Sequence, residues 1–139
     1  MIKPTHKGVT APSHYQEQND CSVRSIANAK NITYEEAHNL LKSLGREDGC
    51  TTSGAALAAA CLRSGGKLKL FQIDYIERYS SHAQNLTRYL PYLQTMNFVV
   101  IMQQHAFAVV RGNIIDNREV SENEIVLGVY EFEQRSRCG

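Results

Sequence analysis

Hydrophobic residues in the first half of the chain recur at the spacing of amphipathic helices. The pattern predicts a first helix over residues 21–30, and its core-facing positions are Val23, Ile26 and Ala27. A second helix is predicted from Thr33, because Glu36 completes a capping box and Gly45 offers a C-terminal stop. An alanine-rich third helix is expected over residues 53–63, followed by a glycine pair.

The second half of the chain has the patterns of strands and turns. Strands are predicted at five apolar or alternating runs: residues 68–73, 98–102, 105–110, 113–116 and 126–132. The run 98–102 is apolar throughout, which favours a central strand, and Gly112 places a hairpin turn between the two runs that follow. A short helix is expected over residues 85–93.

Helices early in the chain and strands late indicate an α+β fold, with an N-terminal helical layer packed on a C-terminal antiparallel β-sheet. The 139 residues show no repeat or linker and predict a single domain over residues 1–139. Residues 1–19 contain Pro4, Gly8 and Pro12, which favour turns, and are expected to form an extended arm or loop. Hydrophobic residues make up 42% of the chain and charged residues 21%, as in a folded globular protein.

Charge and cysteine usage narrow the expected class of protein. The formal net charge of +1 provides no strong field for nucleic acid or anionic lipid, so neither partner is expected. With no signal-peptide pattern and no membrane-length apolar run, we expect a cytoplasmic protein with free thiols. Its four cysteines include no Cys-x-x-Cys pair, so we expect neither a metal site nor any other cofactor.

Cys21 is the candidate nucleophile because it begins the first predicted helix. Peptide dipoles concentrate positive charge at a helix N-terminus, which favours the reactive thiolate over the thiol. Asn19 or Asp20 could cap this helix by accepting hydrogen bonds from its first-turn N–H groups. The carboxylate of Asp20 would raise the pKa of the thiol unless its side chain is turned away into the cap. Cys61, within the alanine-rich helix, is expected to be a buried structural thiol.

His105 and Asp116 are the candidate partners of Cys21. His105 begins a predicted core strand, from which its ring could reach a helix terminus. Asp116 ends the return strand of the same hairpin, where it could orient the imidazole of the histidine and fix its tautomer. Asn117 is an alternative for that role, because an amide can also orient the ring. A cysteine, a histidine and an acid in this layout are typical of a thiol hydrolase.

Gln16 and Gln18 are candidates for binding the oxyanion of a tetrahedral intermediate. Either side-chain amide could act together with the backbone N–H of Cys21, with Asn19 as a further auxiliary residue. The sequence leaves the choice between the two glutamines open.

Three segments carry motifs of a known family: Asp-Cys-Ser-Val-Arg-Ser-Ile-Ala at 20–27, Tyr-Glu-Glu at 34–36 and a histidine-led hairpin at 105–116. Through them the chain resembles papain-like cysteine peptidases, most closely the small phage and bacterial proteins of that fold. The resemblance covers roughly residues 18 to 117. Two departures are Gln104, where the group commonly has glycine, and a glutamine five rather than six residues before the cysteine.

The resemblance implies a phage-encoded thiol hydrolase in the host cytoplasm, with Cys21 as nucleophile, His105 as base and Asp116 as orienting residue. It would cleave an amide, peptide or isopeptide bond, and a host protein is one candidate substrate. The same triad could instead deamidate glutamine or transfer an acyl group, because all these reactions share a thioester intermediate.

Two further alternatives involve no catalysis. One is an inert papain-like module that binds a host protein. The other treats the first two helices as a DNA-reading helix-turn-helix, but this would direct Glu35 and Glu36 toward phosphates and acceptor-rich base edges.

Overall fold

The structure is a computed structural model that describes residues 1–15, 19–47, 52–70, 86–103, 105–121 and 123–133. These residues form the α+β arrangement that the sequence predicts, with helices before most of the sheet. The long helices are α1 (Cys21–Lys30), α2 (Tyr34–Ser43) and α3 (Gly54–Arg63). None of the described helices is long and apolar enough to cross a membrane.

Local capping accounts for the end of α1 and for the starts of α2 and α3. Asn31 ends α1 in the left-handed conformation at φ 56°, which asparagine tolerates better than most residues. The Thr33 hydroxyl accepts from the Glu36 N–H at 3.1 Å, as the predicted capping motif requires. Ser53 caps α3 in the same way, through the Ala56 N–H at 3.2 Å. The boundaries of all three helices therefore lie within one residue of those predicted.

The sheet has five strands in the order β1-β5-β2-β3-β4, and every neighbouring pair is antiparallel. The strands are β1 (Lys67–Leu70), β2 (Asn97–Met102), β3 (Ala106–Val110), β4 (Asn113–Ile115) and β5 (Val126–Phe132). β2 occupies the centre, which confirms the interpretation of its continuous apolar run. The predicted strand over residues 68–73 begins one residue early, and the part beyond residue 70 lies outside the described residues.

The turn between β3 and β4 fixes which residues face each other. Arg111 and Gly112 both have positive φ, at 49° and 83°, the combination that a two-residue type I′ hairpin turn requires. The resulting register pairs Val110 with Asn113 and Ala108 with Ile115. Asp116 therefore follows β4 at the end of the hairpin where β3 begins.

Both faces of the sheet are covered. The helix-facing side contributes Val99, Ile101 and Ala108 to one core, in which α1, α2 and α3 bury their apolar residues. The opposite side contributes Phe98, Val100 and Phe107 to a second core, which Leu86 and Leu93 help to cover. The alternation of β2 between the two cores explains why its sequence is apolar at every position.

The element that covers the second face differs from the single predicted helix over residues 85–93. It consists of a four-residue helix, α4 (Leu86–Tyr89), and a 3₁₀ turn (Leu90–Tyr92). Pro91 has no backbone N–H and disfavours the α conformation in the residue before it, so the α-helix ends at this point.

The N-terminal segment lies along the β4 edge, as an extended arm would. Isolated bridges pair Ile2 with Val120 and His6 with Ile115, and the His6 carbonyl accepts from the Asp116 N–H at 3.0 Å. The arm thereby protects part of an otherwise open sheet edge and helps to fix the backbone of Asp116.

Candidate active site

Cys21 is the first residue of α1, the helix that packs across β3 and β2. Its side chain is half-buried, and its thiol hydrogen-bonds to His105 and to the backbone N–H of Ala106. The helix start therefore brings the sulfur to the point where β3 begins. The first N–H groups of a helix have no carbonyl one turn earlier to bond with, and the N–H of the half-buried Cys21 is the one nearest the thiol.

His105 lies immediately before β3 and is 8% exposed. Its backbone carbonyl accepts from the Met102 N–H at 2.8 Å, which closes the connection between β2 and β3. Its Nε2 atom lies 2.5 Å from Oδ2 of Asp116. Because Asp116 occupies Nε2, Nδ1 is the ring nitrogen left for the thiol of Cys21.

Asp116 is buried at 3% exposure and uses both carboxylate oxygens. Besides the Oδ2 contact with His105, its Oδ1 atom accepts from the Asn117 backbone N–H at 2.8 Å and from Arg24 Nη1 at 3.4 Å. Of the two alternatives from the sequence, Asp116 therefore contacts the imidazole. Asn117 contributes its backbone N–H to the carboxylate.

Opposing effects set the pKa of the Cys21 thiol. Burial is the largest and raises the pKa, but the His105 hydrogen bond and charge, the Ala106 N–H and the Arg24 charge together outweigh it. The net result is a pKa below the ordinary value for cysteine. At His105, burial lowers the pKa most strongly, but hydrogen bonds to Asp116 and Cys21 together with their charges raise it above the ordinary value. Both shifts favour a thiolate–imidazolium pair.

Asp20 does not cap α1, contrary to the sequence expectation, because its carboxylate binds two other side chains. Oδ1 accepts from Arg24 Nε at 2.9 Å, and Oδ2 accepts from the Tyr34 hydroxyl at 2.9 Å. The carboxylate is 6% exposed and paired with a cation, so its charge is largely compensated beside the thiol.

Arg24 and Tyr34 are site residues that the sequence did not single out as functional. Arg24 is 8% exposed and joins the two acids, because Nε contacts Asp20 while Nη1 contacts Asp116. An acid and an arginine four positions apart on one helix are a recognisable pair, so the Asp20 contact had a sequence signal. The contact with Asp116 spans 92 residues and had none.

The candidate oxyanion residues are only partly placed. Gln16 and Gln18 lie outside the described residues. Asn19 is exposed, and its backbone carbonyl accepts from Arg46 Nη2 at 3.2 Å. The backbone N–H of Cys21 is thus the one candidate oxyanion donor of this set that lies within the described residues.

Cys61 differs from Cys21 in its surroundings. It is fully buried in the helix-facing core, and burial raises its pKa to about 12, with the nearby Lys30 charge opposing the shift. It is therefore a structural thiol, as expected, whereas Cys50 and Cys138 lie outside the described residues. In the described part of the chain, no three His, Cys, Asp or Glu side chains are grouped as a metal ion would require.

Comparison with known proteins gives no match to a protein-family model, a curated protein or a solved structure. The papain-like resemblance consequently depends on the three sequence motifs, and the chemistry of the site depends on its own geometry.

Proposed function

We propose that this protein is a papain-like thiol hydrolase that cleaves an amide, peptide or isopeptide bond with Cys21, His105 and Asp116. The observation that carries the proposal is the continuous contact from the Cys21 thiol through His105 to Asp116, with Nε2 and Oδ2 2.5 Å apart. The opposite pKa shifts of the thiol and the imidazole support the same assignment.

In the acylation step, the Cys21 thiolate attacks the substrate carbonyl carbon and forms a tetrahedral oxyanion. The Cys21 N–H at the α1 terminus donates to this oxyanion, with Gln16 or Gln18 as the proposed second donor. When the C–N bond breaks, His105 gives its proton to the leaving amine, and a thioester remains on Cys21. Asp116 holds the imidazole ring in position throughout.

In the deacylation step, His105 takes a proton from water, whose oxygen attacks the thioester carbonyl. The C–S bond then breaks, the carboxylic acid product leaves, and the thiolate–imidazolium pair is restored. If the leaving amine is ammonia from a glutamine, the same steps are a deamidation. If an amine replaces water, they are an acyl transfer.

Three substrate probes test the proposal: a library of peptide coumarin amides, a lysine-linked isopeptide and a glutamine-containing peptide analysed by mass spectrometry. We expect turnover of at least one probe, with a new carboxylate and a released amine. We expect Cys21→Ala and His105→Ala to abolish turnover and Cys61→Ala to retain it. Turnover that persists in Cys21→Ala, or its absence with all three probes, would contradict the proposal.

A further inference from the structure

A narrow groove of about 30 Å³ runs between α3 and the sheet, on the same sheet face as Cys21. Its α3 side is lined by Gly54, Ala55 and Ala58, which have little or no side chain. On the sheet side, Gly128 has no side chain, and the ring of Tyr130 packs over it. This volume holds about two water molecules, so the groove favours a hydrogen or a methyl group over a larger side chain.

Two contacts connect the lining of the groove with the surroundings of the proposed nucleophile. Ile101 lines it and is the direct β2 partner of Ala106, whose N–H contacts the Cys21 thiol. The start of α3 is joined to the start of α1, because the Ser22 hydroxyl donates to Thr52 Oγ1 at 3.0 Å. A peptide whose scissile carbonyl lies at Cys21 would therefore pass this groove within a residue or two.

Tyr130 provides a polar group in this groove. It is 6% exposed and lines the groove, and no residue in the described ranges hydrogen-bonds to its hydroxyl. Its ring end lies over Gly128, since a Cβ there would meet Tyr130 Cε2 at 3.2 Å and the hydroxyl oxygen at 3.8 Å. Burial, and to a lesser degree the charge of Cys61, raise the pKa of Tyr130, so the hydroxyl keeps its proton and can donate. The hydroxyl oxygen is not sealed from solvent, so water or a ligand in the groove can accept its hydrogen bond.

We propose that this groove is the subsite for a glycine or alanine next to the scissile bond, with the Tyr130 hydroxyl donating to a backbone carbonyl of the substrate. The inference rests on the proposed thiol hydrolase and specifies its substrate class as peptides with a small residue beside the cleaved bond. β-Branched and aromatic side chains are excluded, because the glycine and alanine walls leave no volume for them.

Acetylated tripeptide acyloxymethyl ketones test the subsite, with Gly, Ala, Val or Phe placed in turn at each of the two residues before the ketone. The Cys21 thiolate displaces the acyloxy group as a carboxylate and forms a thioether, so the inactivation rate constant reports peptide binding at the site. Iodoacetamide, which has no peptide part, measures thiol activation separately. We expect Gly or Ala to react at least about tenfold faster than Val or Phe at one position, the usual scale for a misfit in a small pocket.

Three variants and one control locate that selectivity. Gly54→Ala places a Cβ 3.5 Å from Ile101 Cγ2 and 3.7 Å from Leu127 Cδ1, ordinary contacts that the fold accepts. It should lower the peptidyl-ketone rate relative to the iodoacetamide rate, and most for the alanine probe. Ala55→Leu should do the same, whereas Ala59→Leu, at an exposed α3 position that does not line the groove, should not. Tyr130→Phe should lower the ratio about three- to tenfold, the value of one hydrogen bond.

The outcomes separate the subsite from the proposed function. If iodoacetamide shows an activated Cys21 but the ketones show no preference for small residues, the subsite is wrong and the hydrolase proposal stands. The subsite is also wrong if Ala59→Leu changes the ratio as much as Ala55→Leu does. If Cys21 is not activated toward iodoacetamide, the proposed function fails first.

Discussion

Asp20 lies directly before Cys21, and an uncompensated carboxylate there would raise the pKa of the thiol. In the structure, Arg24 and Tyr34 both donate to that carboxylate, and Arg24 also reaches Asp116 on the other side of the imidazole. One buried guanidinium thus neutralises the acid beside the nucleophile and supports the acid that orients the base. The charges of the site are therefore balanced by side chains from two helices and the sheet.

Arg24→Gln tests this arrangement. The substitution leaves the buried Asp20 carboxylate without its cation and Asp116 with His105 alone, and removing one member of a buried ion pair commonly costs about 3–5 kcal/mol. The pKa of Cys21 should rise, because the Arg24 charge lowers it in the native protein. Urea unfolding and pH-dependent thiol labelling measure the two effects.

Arg63→Gln, an exposed arginine at the end of α3, is the matched control and should change neither quantity appreciably. If Arg24→Gln proves too unstable to purify, Tyr34→Phe removes a single donor from Asp20 at a cost of about 1–3 kcal/mol. An unchanged Cys21 pKa in the folded Tyr34→Phe and Arg24→Gln proteins would contradict this role for the network.

Asp116→Asn tests the orienting residue. Losing the carboxylate removes the hydrogen bond and charge that raise the pKa of His105, so that pKa should fall. Turnover of a substrate probe should decrease by about 10²–10⁴-fold, the range for removing such a group. Asn117→Ala is the control, because Asn117 contributes its backbone N–H to Asp116. Equal losses in both variants would show that the Asp116 carboxylate has no special role.

At the level of secondary-structure elements, two junctions create the site: the start of α1 and the ends of the β3–β4 hairpin. Both were predictable, since the hydrophobic period defines α1 and Gly112 marks the hairpin turn. The sequence left the register of the hairpin open, and with it the choice between Asp116 and Asn117; the two-residue turn in the structure sets that register and brings Asp116 to His105. Local sequence could not predict the packing of α1 across β3. It could not predict the Arg24–Asp116 and Ser22–Thr52 contacts either, because each of them joins segments that are distant in the chain.

Gly112→Ala tests the hairpin as the element that aligns the two residues. A side chain at φ 83° is strained, and its Cβ would lie 2.6 Å from Gln94 Oε1. We expect a stability loss of about 1–2 kcal/mol and slower Cys21 labelling, because the ends of the hairpin no longer hold His105 and Asp116 in register.

Gly45→Ala is the matched control. Gly45 has φ 108°, and an added Cβ would meet no atom within 4 Å, so the substitution causes backbone strain alone and lies outside the hairpin. It should lose similar stability without slower labelling. Labelling that slows equally in both variants would mean that general stability, rather than the hairpin, determines thiol activation.

Across the whole molecule, the sheet separates two cores and carries the site at one end of its helix-facing side. At the centre of the sheet, β2 is buried at all six positions. The α+β class and the order of elements were predictable from hydrophobic patterning. The cover of the second sheet face by α4, the 3₁₀ turn and the N-terminal arm was not, because none of these segments has a strong helical or strand period.

The opposite pKa shifts of Cys21 and His105 predict a bell-shaped pH dependence of turnover. Activity should fall at low pH, where the thiolate gains a proton, with a midpoint below the ordinary cysteine pKa. It should fall again at high pH, where His105 loses the proton needed by the leaving amine, with a midpoint above the ordinary histidine pKa. Because the two groups titrate as a coupled pair, the midpoints belong to the pair. A single rising limb that follows ordinary cysteine ionisation would contradict this prediction.

The most direct test of the thiolate–imidazolium pair is the iodoacetamide labelling rate of each cysteine between about pH 5 and pH 9, followed by peptide mass spectrometry. We expect Cys21 to react fastest and to stay reactive well below the ordinary thiol pKa of about 8.5. His105→Ala should remove that advantage, because the largest influences that lower the Cys21 pKa come from His105. A Cys21 that titrates at or above the ordinary value, or that labels identically in His105→Ala, would contradict the thiolate–imidazolium pair.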